Sequence, residues 1–324
     1  MITSLGDFFD NSHSQKDVNM VSYTSGRKKA LKIILALLIT LIVSVLVILL
    51  FYLPRYLTRD VIVTPRISDG EEFTIMSTNV RCYSPTDFFK KSWFYRAELI
   101  ATDIASVAPD IIGFQEMNAV HYSYLQDVMP GYASFMAYRD KKLLKEACAI
   151  FYRSDRFEEI ESGVFWLSET PDVMSKDWGS AHYRICVYVC LKDRNTGKEF
   201  VVFNTHLDHK SEESRIKGIE VVLDKIAELG NRPAFLIGDL NAKENTNTIK
   251  FTKEKFDDAQ KIAPITENTA TYHNWDGESY KKRIDYILVS KGLVTVNEYH
   301  VIDNCYNGAY SSDHSSIYVK AKIN

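Results

Sequence analysis

Five cysteines in 324 residues, an odd number, leave no fully paired disulfide framework. Cationic charge is also short over most of the chain. Residues 60–324 carry 32 Lys and Arg against 39 Asp and Glu, a net of −7, which excludes a nucleic-acid binder that relies on bulk positive charge. No internal repeat or low-complexity tract is visible. With 46% apolar and 25% charged residues, the composition is globular, not disordered or collagen-like. Its length allows roughly two domains, or one large domain with an appendage.

The N-terminal part reverses the charge balance: residues 1–59 hold seven Lys and Arg against three acids. Within it, Ile33 to Leu53 reads IILALLITLIVSVLVILLFYL, 21 residues without a charge. At 1.5 Å rise per residue the run covers the roughly 30 Å hydrocarbon core of a bilayer, and a helix there satisfies its own backbone. Buried core helices seldom run this long without a charge. Arg27, Lys28, Lys29 and Lys32 precede the run, while Arg55 and Arg59, offset by Asp60, follow it. The stronger basic cluster belongs in the cytoplasm. The run exceeds the 7–15 apolar residues of a signal peptide and no small-x-small site follows, which favours an uncleaved signal anchor. The reading is a single-pass cell-membrane protein: a cytoplasmic tail (1–32), a transmembrane anchor (33–53), a linker (54–72) containing Pro54 and Pro65, and a domain (73–324) outside.

Eight short runs rich in Val, Ile, Phe and Tyr predict strands at 73–80, 110–116, 148–153, 184–192, 199–207, 234–241, 283–290 and 315–323. Three- and four-residue spacing of Trp93, Ala97, Ile100, Ile104 and Val107, with Pro109 as a stop, predicts a helix. A second helix spans Ser211 to Leu229, with Gly230 in the position of a C-terminal cap glycine. Asn195-Thr196-Gly197 reads as the turn of a hairpin. Hairpins mixed with packed helices point to a layered α/β fold rather than a simple parallel sheet. Cys186 and Cys190, four apart on one strand, stand roughly 13 Å from each other, too far to bond, and read as small core residues.

Polar residues gather at the strand ends: Asn79, Glu116, His206 with Asp208, Asp239 with Asn241, Asp285, and Asp313 with His314. A carboxylate beside a buried strand loses hydration and needs a cation or hydrogen-bond donors. Several converging on one rim would make an anionic pocket suited to a hard divalent cation such as Mg²⁺. Singly, each of these residues is more often a turn or cap residue; their joint order carries the inference.

The series STN (77–79), IIGFQE (111–116), NTHLDH (204–209), GDLNA (238–242), RIDYI (283–287) and SDH (312–314) resembles the endonuclease/exonuclease/phosphatase superfamily, with its deoxyribonuclease-I-like fold. The likeness runs from about Phe73 to Ile323. IFYRSDRFE, SGVFWLSETPD and RICVYV look like a largely uncharacterised bacterial branch. GDLNA carries Leu240 where phenylalanine is common, but no departure removes a polar site residue. The resemblance implies a four-layer α/β/β/α sandwich, two mixed sheets flanked by helices. It also implies a Mg²⁺-dependent phosphoric ester hydrolase, with Mn²⁺ as the alternative ion. The substrate is then a phosphate mono- or diester: a lipid head group, a sugar phosphate or a nucleic acid. A binding module that has lost turnover, or an extracellular nuclease, is the alternative on the same fold.

On that chemistry Glu116 is the principal metal ligand, with Asn79 and Asp313 beside it. His314 serves as general base or as an imidazolium on the phosphate, oriented by Asp285. Asp239 aligns or deprotonates the attacking water, Asn241 holds a phosphoryl oxygen, and His206 donates to the phosphate or leaving group. Arg184 reads equally as a phosphate clamp or a surface ion pair. Tyr152 reads as core packing, and Asp208 as support behind His206. His13, His121, His182, His273 and His300 lack a supporting motif and read as surface or structural.

Overall fold

Strands that are apolar on both faces need cover on both sides, and this chain provides it by stacking two sheets between helices. The computed structural model describes residues 11–66, 70–277 and 281–324. Residues 1–10 of the expected tail and 67–69 of the expected linker lie outside the described residues. The chain divides into two units, Met1–Leu57 and Thr58–Asn324.

The first unit is built on α1 (Asn11–Thr58). Its stretch Gly26–Leu50 has a mean hydropathy of 3.4 and is long and apolar enough to cross a membrane. The helix extends beyond the 21-residue apolar run at both ends, into residues of the expected tail and linker. Once a helix is nucleated, each further residue adds a hydrogen bond, so a strong apolar segment carries its flanks with it.

The second unit runs, in chain order, through β1 (Phe73–Asn79), α2 (Trp93–Val107), β2 (Ile111–Met117), α3 (Ala119–Val128), β3 (Tyr132–Tyr138), β4 (Ala147–Arg153), β5 (Phe157–Trp166), β6 (Ile185–Asp193), β7 (Glu199–His206), α4 (Glu212–Glu228), β8 (Ala234–Asp239), α5 (Asn247–Lys255), β9 (Phe256–Asp258), α6 (Ala259–Ile262), β10 (Ile265–Thr266), β11 (Asp285–Ser290), β12 (Val294–Ile302) and β13 (Ser316–Ile323). One sheet has the order β10-β12-β13-β1-β2-β4-β3 and the other β5-β6-β7-β8-β11-β9. Each mixes parallel pairs, β1 with β2 and β7 with β8, into antiparallel neighbours. With helices on the outer faces, this is the four-layer α/β/β/α sandwich. All eight predicted strands are present, and β3, β5, β9, β10 and β12 are additional.

Between the sheets, Ile75, Ile111 and Ile150 of one meet Val187, Val202 and Ile237 of the other. Phe73 stacks on Phe200 at 5.1 Å and lies 5.8 Å from both Phe157 and Phe235. Each such buried aromatic stabilises the sandwich by about 1.5–3 kcal/mol. Ile219 and Val222 of α4 pack on the outer face of the second sheet with Cys186 and Cys190, which are buried and unpaired, as expected. Both predicted helices form. Ala108 in left-handed conformation ends α2 ahead of Pro109, and its N–H bonds Ile104 O at 2.7 Å. Ser211 Oγ caps α4 through Ser214 N, and Gly230 follows it with φ +81°.

Candidate active site

Strand register carries the polar residues to one rim. In the second sheet His206 lies opposite Asp239, and Asp239 opposite Asp285. Gly238 makes that row feasible: its φ is +136°, and a Cβ there would meet Thr205 O at 1.9 Å. In the first sheet Asn79 ends β1 beside Gln115, and a bulge in β2 between Phe114 and Met117 gives Glu116 a φ of +60°. Such a bulge re-aims the side chain, and the strained conformation marks a site the surrounding fold must hold. Asp313 and His314 lead into β13, the neighbour of β1.

The eight residues singled out in the sequence come together. Asn79 Nδ2 donates to Glu116 Oε1 at 3.1 Å and Asp239 Oδ2 at 3.2 Å, so one neutral amide ties a carboxylate of each sheet. Cys82 N–H donates to Glu116 Oε2 at 2.9 Å, and Asn241 N–H to Asp239 Oδ1 at 2.8 Å. His314 Nδ1 stands 2.9 Å from Asp285 Oδ2, while its Nε2 side faces Asp239 Oδ2 at 3.8 Å. Asp285 is itself fixed, its N–H donating to Thr271 Oγ1 at 3.1 Å. His206 Nε2 lies 3.5 Å from Asp239 Oδ2 and 2.9 Å from Asn241 Nδ2, and that amide also donates to Leu207 O at 3.0 Å. Asp313 lies 3.8 Å from Arg81 Nη1.

Six of these side chains line a cavity of about 350 Å³, with Asn79 bonded to Glu116 and Asp239 and with Asp285 behind His314. Burial, with Asp285 adding to it, pushes Asp239 up to about 7. Burial also raises Asp313. It opposes a charged His314, but the Asp285 carboxylate, followed by Asp239 and Asp313, outweighs it and lifts His314 to about 10. Burial and then Arg184 push His206 well below the usual imidazole range. For Glu116, burial is outweighed by the Cys82 N–H, the His314 imidazolium and the Asn79 amide, which hold its carboxyl well below the usual range. At neutral pH the rim thus holds an imidazolium on Asp285, a neutral His206, an ionised Glu116 and an Asp239 poised to exchange a proton.

Ligand atoms of Asp239, Asp285 and His314 lie within 4.8 Å of one another. Two of that trio are engaged with each other, however, which leaves the oxygens around Asn79 as the better cation site. Glu116 and Asp239 both accept from the one Asn79 amide. Their carboxylate oxygens are the donors a hard divalent ion prefers, and Asn79 Oδ1, which accepts the Arg81 N–H at 2.9 Å, is a further oxygen at the same place.

Several lining residues escaped the sequence reading. Arg139 and Glu146 face each other across the β3–β4 hairpin, Nη2 to Oε1 at 2.6 Å. His182 and His209 stack at 5.4 Å and line the same cavity. Arg184 is buried in the cavity wall, which removes the surface ion pair as its role. Asp208 lies 3.7 Å from Arg184 Nε and accepts backbone N–H groups of Ala181, Lys210 and Ser211, so it sits behind Arg184. Tyr152 packs in the core, its hydroxyl on Glu159. His121 closes a capping box with Asn118, His273 is buried against Tyr310, and His300 sits between Glu267 and Glu298. The side chain of His13 lies outside the described residues.

Residues 76–314 match the Endonuclease/Exonuclease/phosphatase family. The chain belongs to this family. A family member from Bacteroides thetaiotaomicron shares 33% identity and a TM-score of 0.73, covering 78% of this chain and 95% of that one. The mannosyl-6-phosphatase of Bacteroides thetaiotaomicron VPI-5482 shares 32% identity and a TM-score of 0.70, covering 77% of this chain and 99% of that one. Among curated relatives, the CCR4-Not complex 3'-5'-exoribonuclease subunit Ccr4 of Aspergillus clavatus is 26% identical over 248 residues, 65% of this chain and 35% of that protein. The chain spans about 60% of the length of two other curated relatives it matches. Hydrolases of this family act on phosphate esters and generally depend on a divalent metal.

Proposed function

We propose that the chain is a metal-dependent phosphoric ester hydrolase held at a membrane by its N-terminal helix. The observation that carries this reading is the Asn79 amide spanning Glu116 and Asp239, set against the His314–Asp285 pair in one cavity. Glu116, Asn79 and Asp313 would hold Mg²⁺, or Mn²⁺ in its place, with Asp239 facing it from the other side of the Asn79 amide. Such an ion supplies neutralisation of the phosphoryl charge.

The remaining steps fall to side chains of this chain. Water attacks phosphorus, an O–P bond forms, the P–O ester bond breaks, and the leaving alcohol takes a proton. Asp239, raised to about 7, is the better-matched base for the attacking water. His314, raised to about 10, is then the imidazolium that stabilises phosphoryl charge, with Asp285 fixing its ring. His206 and Asn241 orient a phosphoryl oxygen from the same rim.

Sugar phosphates and lipid head groups are favoured over polynucleotides by the net charge of −7 on residues 60–324. The mannosyl-6-phosphatase at 32% identity supports the sugar phosphate. Arg27, Lys28, Lys29 and Lys32 support a cytoplasmic N-terminus with the hydrolase domain outside, where tethering concentrates surface substrates. A panel of sugar phosphates, phospholipids and nucleic acids, assayed with EDTA and then with Mg²⁺ restored, tests the activity. Hydrolysis lost to EDTA and regained with Mg²⁺ is expected; no divalent-dependent hydrolysis of any substrate would sink the reading. Protease treatment of intact cells tests orientation, and a domain left uncut would count against it.

A further inference from the structure

One charged side chain in the cavity is buried without using all its donors. Arg184 is 4% exposed, and its Nε and Nη1 have no hydrogen-bond partner among the described residues. Asp208 Oδ2, at 3.7 Å from Nε, supplies counter-charge but is outside hydrogen-bond reach. The backbone of Arg184 is fixed just ahead of β6, its carbonyl accepting Leu167 N–H at 2.8 Å. Beside it, Arg139 gives Nη2 to Glu146, and its Nε likewise has no hydrogen-bond partner. Guanidinium groups stay charged at any pH the protein meets, so both cations stand against this wall with donors to spare.

Arg139, Arg184 and His206, with the carboxyl groups of Glu116 and Glu146, line a niche of about 10 Å³. That is about the room for a single water-sized oxygen. Glu146 is engaged by Arg139 Nη2, so the unused donors, Arg184 Nε and Nη1 and Arg139 Nε, favour an oxygen bearing charge.

We propose that this niche takes the third non-bridging oxygen of a phosphomonoester, with Arg184 and Arg139 as donors, so that the site prefers monoesters to diesters. The inference rests on the hydrolase reading above. A monoester dianion has three such oxygens sharing two charges. In a diester the third oxygen carries a carbon chain that a one-oxygen niche has no room for, and one charge is gone.

The test compares kcat/KM for 4-nitrophenyl phosphate and bis(4-nitrophenyl) phosphate, which share a leaving group, using the detergent-solubilised full chain with Mg²⁺. The wild type is expected to favour the monoester. Arg184→Gln is expected to lower monoester kcat/KM about 100-fold, the scale of lost charge-assisted hydrogen bonds, and diester kcat/KM less than about tenfold. Arg184→Lys, which keeps the charge but not the fork, falls between them. Since removing a buried guanidinium can unfold the chain, wild-type calorimetry with inorganic phosphate and dimethyl phosphate runs alongside, with phosphate expected at least about tenfold tighter. A diester preference, equal binding of the two anions, or equal losses on both substrates in a folded Arg184→Gln would overturn the niche while leaving the hydrolase reading intact. If neither ester is hydrolysed and phosphate still binds about tenfold tighter, the niche stands, and the substrate panel above decides the hydrolase reading.

Discussion

Arg153 and Arg156, at the end of the sandwich away from the cavity, have what Arg184 lacks. Arg153 bonds Asp110 at 2.8 Å and Asp155 at 2.7 Å. Arg156 bonds Asp193 at 3.3 Å and the carbonyls of Glu72 and Gly70 at 3.0 and 2.9 Å. At the cavity end, Arg184 has unused donors, Glu116 and Asp239 share one neutral amide, and Glu116 and Asn241 both sit at positive φ. The same residue types bond fully at one end of the strands and keep unused donors at the other. Net protein stability is only about 5–15 kcal/mol, so the open end must be carried by the closed end and the aromatic core.

The largest expected effect lies at the closed end. Arg153→Met takes from Asp110 its hydrogen-bonded cation, leaving Arg156 at 3.6 Å and the Thr74 N–H, and should cost about 3 kcal/mol in chemical denaturation, with kcat per folded molecule unchanged. A loss under about 1 kcal/mol would erase the contrast between the ends. At the open end, His314→Ala should lower kcat by about 100-fold or more while the melting temperature moves by only a few degrees. Near-normal turnover in that variant would remove His314 from the chemistry.

A third cluster calibrates what solvent does to similar charges. His300, on β12, lies 3.0 Å from both Glu267 and Glu298, and although burial opposes its charge, those carboxylates raise its pKa. A raised imidazole pKa adds stability that is complete below the unfolded value and fades as pH rises through the folded one. His300→Gln should therefore destabilise at pH 5.5 but not at pH 9, by no more than about 1 kcal/mol because solvent screens the pair. An equal loss at both pH values would assign His300 a packing role instead.

How much of this was legible in the sequence differs by element. The motifs at strand ends could be read because each ends a run that must be buried, and register then brought them together. Glu159–Glu161 and other polar residues along β5 hid an edge strand that is half solvated. In β3, YASFMAY, small and polar residues at half-buried positions gave no strong alternation. Missing β3 also hid the Arg139–Glu146 pair, which only the hairpin makes neighbours. His182 comes from an irregular segment with no periodicity, and only its stacking on His209 places it in the cavity wall. The positive φ of Glu116 could not be foreseen, because it follows from the bulge in β2 rather than from residue type.

The central claim, that the open end is built around a cation held by Glu116, is tested most directly by thermal unfolding of the detergent-solubilised full chain in a Mg²⁺ titration. Wild type should gain about 2.7 kcal/mol of stability at 100 times its Kd, and Glu116→Gln should gain less than about 1 kcal/mol at the same concentration. An equal rise in both proteins, or no rise in the wild type, would contradict the account.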